Sequence, residues 1–292
     1  MSTLEFSSMT QLNEKSYQRT KVEDGNVLEL DDVKIWYHDS GGDGEPIVLL
    51  GGFTAGHFVF DFVREHLQEY RLITWEPRGL GLSQAAEGDT SGYSTDVWAD
   101  DLSRLLAAIG VKKAHLWADG FGGFIAMKLA AQHPDLVQSV ITSTEVWAGL
   151  QDRTKNWNIY SAIVNNLGTT GRGAKLLAKW MDIETLPWFV PWEAQNISEV
   201  VHVETVESTV GYGLLHADVR DELPRVTAPT LLLLGAESTE EAMAQPGVNE
   251  LREGVPHLEI GVVTGAHASY GVVTHPKEFA DAAREFFQKN GN

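Results

Sequence analysis

The stretch Ala114-His115-Leu116-Trp117-Ala118-Asp119-Gly120-Phe121-Gly122-Gly123 decides the fold of this chain. Its first half is a nearly continuous apolar run, as expected of a strand covered on both faces. Its second half is a glycine-rich turn leading into the helical pattern Phe124-Ile125-Ala126-Met127-Lys128-Leu129-Ala130-Ala131-Gln132-His133-Pro134. A sharp strand-to-helix turn needs small neighbours, here Ala118, Gly122 and Gly123. It lifts one side chain above the sheet, beside the positive end of the helix. Gly120 occupies that place, so the turn is present and the side chain it would display is missing.

Outward from this stretch, short apolar runs alternate with helical patterns from about residue 28 to the C-terminus, the signature of a parallel sheet with crossover helices. The candidate strands are Val33–Tyr37, Ile47–Leu50, Leu72–Trp75, His115–Trp117, Val140–Thr142, Leu231–Leu234 and Leu258–Val263. Between Ser94 and Gly110, Trp98, Leu102, Leu105, Leu106 and Ile109 recur at helical spacing. Ser94 suits the N-cap of that helix and Gly110 its left-handed stop. From residue 147 to 216 the rhythm changes to turn-punctuated, Trp-rich segments, including Pro187-Trp188-Phe189-Val190-Pro191-Trp192. This reads as a helical insertion after the sixth main strand. Its aromatic cluster either lines an apolar ligand site or packs the insertion on the core.

Three more segments surround the turn: Gly51-Gly52-Phe53-Thr54 after one strand, Glu76-Pro77-Arg78-Gly79-Leu80-Gly81-Leu82-Ser83 after the next, and Gly265-Ala266-His267 near the C-terminus. Together with the 114–134 stretch they resemble the α/β-hydrolase superfamily from about residue 28 to 288. The resemblance implies a mostly parallel eight-stranded sheet flanked by helices with an inserted α-helical cap. Residues 21–146 and 217–292 would form the core, 147–216 the cap, and 1–20 an N-terminal arm. It also implies a nucleophile at position 120, a base at His267, and an oxyanion hole made by the backbone N–H groups of Phe53 and Phe121.

For the acid that orients the base, the resemblance leaves two candidates. Glu145 follows the sixth strand, and Glu237 lies in Gly235-Ala236-Glu237-Ser238, where the superfamily's common acid position holds Ser238. Glu145 is preferred, because a one-residue shift is absorbed where the chain leaves the sheet. An acid after the sixth strand is similar to the zearalenone-type lactonases, which use Glu there, and to the cofactor-independent quinolone dioxygenases, which use Asp. Attack by Asp119, in the manner of epoxide hydrolases and haloalkane dehalogenases, would require the turn to slip by one residue, putting its glycines out of phase. Gly52, Asp119, Trp188, Trp192 and Tyr270 are the candidate ligand contacts.

At 292 residues and 43% apolar, the chain can bury one large core. A formal net charge of −19 opposes both nucleic-acid backbones and anionic membrane surfaces. With no cysteine, disulfides, thiol nucleophiles and thiolate metal sites are excluded. Apart from His267, the histidines lack partners at metal-ligand spacing; His202 and Glu204 stand two apart without a third ligand. No cofactor or metal is expected. Met1–Thr20 has no apolar signal core and no run of 18 apolar residues occurs, so the expectation is a cytoplasmic protein. The expected partner is a small apolar or aromatic ligand; a homodimer is compatible with the sequence, which does not fix the oligomeric state.

An acyl-enzyme needs an attacking oxygen, a base and a group that orients the base. Only the last two are in this chain. Three readings follow: a hydrolase in nucleophile-less form that holds its ligand, an enzyme running His-base chemistry without a nucleophile, and a binding or scaffold protein resembling the N-myc downstream-regulated family.

Overall fold

The computed structural model describes residues 21, 24–84, 92–143, 172–180, 186, 188–202 and 204–291. Its centre is an eight-stranded sheet: β1 (Asn26–Glu29), β2 (Lys34–Asp39), β3 (Pro46–Leu50), β4 (Arg71–Trp75), β5 (Ala114–Asp119), β6 (Val137–Ser143), β7 (Thr230–Ala236) and β8 (Leu258–Thr264). The strand order is β1-β2-β4-β3-β5-β6-β7-β8. β1–β2 and β2–β4 pair antiparallel, and every other pair is parallel. All seven strands expected from sequence are present. The eighth, β1, is a mostly exposed edge strand of four residues.

Every residue of β5 is buried. His115 and Trp117 pack on Phe287, with ring centroids 4.6 and 6.3 Å apart. The alternation of a strand turns Leu116 and Ala118 to the other face. Helix α1 (Thr95–Ala108) begins at Ser94, whose hydroxyl accepts from Val97 N–H at 3.3 Å, and is followed by Gly110 at φ +74°. It packs beside α2 (Gly122–Gln132), the helix that leaves the turn after β5. Between β6 and β7 lie α3 (Arg172–Trp180) and α4 (Phe189–Val200). After β7 come α5 (Pro246–Gly254) and then α6 (Pro276–Asn290), whose Phe279, Phe286 and Phe287 are buried.

Arg78 fixes the loop after β4. Its guanidinium donates twice to buried Asp101 of α1, both bonds at 2.6 Å, and once to Asp32 at 2.8 Å. Gly79 and Gly81 take φ +85° and +53°, so the Pro-Arg-Gly-Leu-Gly run can fold back over the sheet edge.

Candidate active site

The turn after β5 has the geometry expected of its sequence. Gly120 takes φ +49°, and its carbonyl accepts from Gly123 N–H at 2.9 Å as α2 begins. Asp119 is still the last residue of the strand, so the turn has not slipped by one position. A Cβ at Gly122 would stand 2.2 Å from the Leu50 carbonyl oxygen, which explains the glycine: α2 starts almost against the backbone of β3. Gly120 differs. Among the described residues, a Cβ there would meet only Gly52 Cα, at 3.9 Å. No described residue accepts from the Phe121 or Gly122 N–H, so both donors stand at the positive end of α2.

Facing the turn is the loop after β3. Gly52 and Gly56 bridge, with Gly56 N–H donating to Gly52 O at 3.1 Å, and Phe53 between them is buried. Asp119 Oδ2 lies 3.6 Å from where a Gly52 Cβ would be, so its carboxylate sits over this loop. Phe121 packs edge-on against Trp98, centroids 4.9 Å apart, which anchors the start of α2.

His267 follows β8 through Gly265, at φ +84°, and buried Ala266. The His267 carbonyl lies where a Cβ at Gly235 would be, 2.3 Å away, so this segment is held close to the end of β7. Its Nδ1 accepts from the backbone N–H groups of Ser269, at 3.1 Å, and Tyr270, at 3.2 Å. In the neutral ring the proton therefore resides on Nε2. Of the two candidate acids, Glu145 lies outside the described residues. Glu237 is exposed; its N–H donates to Glu241 Oε2 at 3.0 Å, just before a short helix capped by the Ser238 hydroxyl.

The Trp-Pro segment brings α4 onto the same region. Trp192 is buried against Phe62, Phe189 and Tyr270, while Trp188, half-buried, contacts Phe62 and Trp192. The two tryptophans thus pack α4 to the core through Phe62 and Tyr270. This packing carries in Glu193, a residue to which no sequence motif pointed. Glu193 is fully buried and accepts from Tyr270 Oη at 3.4 Å and from Asn196 Nδ2 at 3.3 Å. Burial pushes its carboxyl up to about 7; hydrogen bonds from Thr54, Asn196 and Tyr270 oppose the rise and the Asp119 charge adds to it. The loop after β3, the strand-to-helix turn and the His267 segment thus all act on one carboxyl group.

A histidine–carboxylate pair, also missed in the sequence, joins His57 Nδ1 to Glu76 Oε1 beside the Gly52–Gly56 bridge. His202 donates from Nε2 to the Gly81 carbonyl. Among the described residues no group of three His, Asp or Glu side chains could hold a metal ion, and no helix is long and apolar enough to cross a membrane.

Residues 45–159 match the family model described as alpha/beta hydrolase fold. The chain is 28% identical over 257 residues to a Yersinia enterocolitica protein named as the carbamate hydrolase RutD, across 83% of this chain and 88% of that one. It is 26% identical over 254 residues to the N-formylmaleamate deformylase of Pseudomonas putida, across 85% and 90%. A hydrolase crystal structure from Pseudomonas aeruginosa PA01 aligns with a TM-score of 0.72 at 18% identity, covering 91% of this chain and 99% of the other.

Proposed function

The chain has the α/β-hydrolase fold, and from that premise we propose that it is a hydrolase-type site for a small apolar or aromatic ester or lactone, in a form that lacks its nucleophile. The observation that carries this reading is Gly120 itself. It has the left-handed turn of a nucleophile position, and beyond its own chain neighbours no described atom stands closer than 3.9 Å to the place of its missing Cβ. Helices α3 and α4 would form the cap over the ligand.

With a serine at 120, its oxygen would attack the acyl carbon, His267 would take the hydroxyl proton, and the Phe121 and Phe53 amides would hold the developing oxyanion. The proton would then pass to the leaving oxygen, and water would release the acyl group. Loss of the serine in a serine hydrolase costs on the order of 10⁶ in turnover, roughly 8 kcal/mol of barrier. The proposed state of the present chain is therefore a ligand-holding one. For His267 to serve as base, its proton must move from Nε2 to Nδ1, and a carboxylate at Nδ1, for which Glu145 is our candidate, would drive that exchange.

The test is Gly120→Ser assayed beside the unchanged chain on aromatic esters and macrocyclic lactones. Carbamates and formamides belong in the panel because the curated relatives are named for them. Hydrolysis of an ester or lactone by the Ser form alone supports the proposal. No turnover of any panel member by either form overturns it. Turnover by the unchanged chain that is lost in His267→Ala would assign the site to His-base chemistry instead.

A further inference from the structure

Tyr270 is held by two partners at once. Its backbone N–H donates to His267 Nδ1 at 3.2 Å, next to that of Ser269 at 3.1 Å, while its hydroxyl donates to Glu193 Oε1 of α4 at 3.4 Å. Its ring is buried edge-on against Phe189 and Trp192, with centroids 4.9 and 6.3 Å apart. Phe189, Trp192 and Glu193 share one face of α4. That face grips the residue whose amide helps to fix the tautomer of the candidate base.

The base segment also closes on itself. The Tyr270 carbonyl accepts from Val273 N–H at 3.0 Å and Thr274 N–H at 2.9 Å, and Thr274 Oγ1 accepts from His267 N–H at 3.3 Å. Residues 267–274 are thus tied into one unit, and the Tyr270 side chain is where α4 takes hold of it. A buried carboxyl is costly unless donors reach it. Those of Glu193 come from three segments: Thr54 of the loop after β3, Asn196 of α4 and Tyr270 of the base segment. The 3.4 Å contact is long for a hydroxyl donor, but Glu193 has no exposure and no bulk water competes for it.

We propose that Glu193 is a positioning residue for His267: through the Tyr270 hydroxyl it holds the Ser269 and Tyr270 amides against Nδ1 and keeps the resting ring in its Nε2–H form. Helix α4 and the base then form one mechanical unit, and the tautomer of the ring follows the seating of the helix. The inference rests on the reading of His267 as the base, but its test needs neither a nucleophile nor turnover.

The full chain labelled with ¹⁵N-histidine is observed without ligand at pH 8, where long-range ¹H–¹⁵N spectra separate the tautomers of a neutral ring. The His267 signals are identified from their loss in His267→Ala. Tyr270→Phe keeps the ring packing and removes only the hydroxyl, whereas Glu193→Leu removes the acceptor. Each should raise the Nδ1–H share of His267 about fivefold to tenfold, the worth of one hydrogen bond to a buried carboxyl. Glu193→Gln, whose amide oxygen still accepts, should keep the tautomer of the parent. His115, near the other end of β5, should be unmoved in every variant. A parent ring already protonated on Nδ1, an unchanged His267 in Tyr270→Phe, or equal responses to Glu193→Gln and Glu193→Leu would each overturn the proposal. So would a His115 signal that moves together with His267, since that marks general loosening.

Discussion

The Tyr270 hydroxyl donates to the Glu193 carboxyl across 3.4 Å, so the segment that carries His267 is joined to α4 through a group buried from solvent. Thr54, Asn196 and Asp119 also act on Glu193, and no cation is among the described groups that shift it. Its folded-state value near 7 stands above the 4.5 of an ordinary glutamate. The folded protein thus holds this proton more tightly than the unfolded chain does. The contribution to stability is complete below pH 4.5 and is lost as pH rises towards 7. Glu193→Gln, neutral at every pH, should remove that loss. Urea melts of both proteins at pH 5 and pH 8 should show the parent losing on the order of 3 kcal/mol more than the variant. Parallel losses would place the Glu193 titration elsewhere.

Gly120 and Gly122 stand two residues apart and should respond differently to a methyl group. At Gly120 the space is open among the described residues, and the cost is that of a left-handed φ, about 1–2 kcal/mol for Gly120→Ala. At Gly122 the new atom would meet the Leu50 carbonyl oxygen at 2.2 Å, so α2 must leave the sheet. Gly122→Ala should cost at least about 3 kcal/mol, the upper range for overpacking. Urea midpoints at unchanged slope measure both. A larger loss at Gly120 would mean that its surroundings are closed.

The sheet was legible because its central strands are buried on both faces and are therefore continuous runs such as Leu231–Leu234. β1 was not, since Asn26-Val27-Leu28-Glu29 is an exposed edge whose side chains carry no burial signal. The turn at Gly120 and the position of the His267 segment after β8 were readable from local glycine spacing, because a left-handed φ and a close backbone approach leave a mark on the sequence itself. Glu193 leaves none: a lone glutamate in an amphipathic helix reads as solvated, and only the packing of Trp192 on Phe62 and Tyr270 puts it inside. His57 and Glu76 are 19 residues apart and meet only because β3 and β4 are neighbours in the sheet.

His267 offers a prediction that needs no substrate. Two backbone amides donate to Nδ1, at 3.1 and 3.2 Å, so the neutral ring should be the Nε2–H tautomer. Long-range ¹H–¹⁵N spectra of the ligand-free protein distinguish the two ring nitrogens directly. A protonated Nδ1 in the neutral ring would show that the amides have released it and that a carboxylate has taken their place.

The loop that carries Glu76 depends on one buried charge. Arg78 is bound by Asp101, which is fully buried, and by Asp32, whose side chain is half exposed. Removing the buried acceptor charge leaves the guanidinium only its half-exposed partner in a low-dielectric setting, while removing the exposed one is repaired by water. Asp101→Asn should therefore cost about 3–5 kcal/mol, and Asp32→Asn less than about 1 kcal/mol, in urea melts of the full chain. The ordering matters more than the magnitudes. If Asp32→Asn proved the more damaging, its second bond, to Arg104 at 2.7 Å, would be the one that ties the loop to α1.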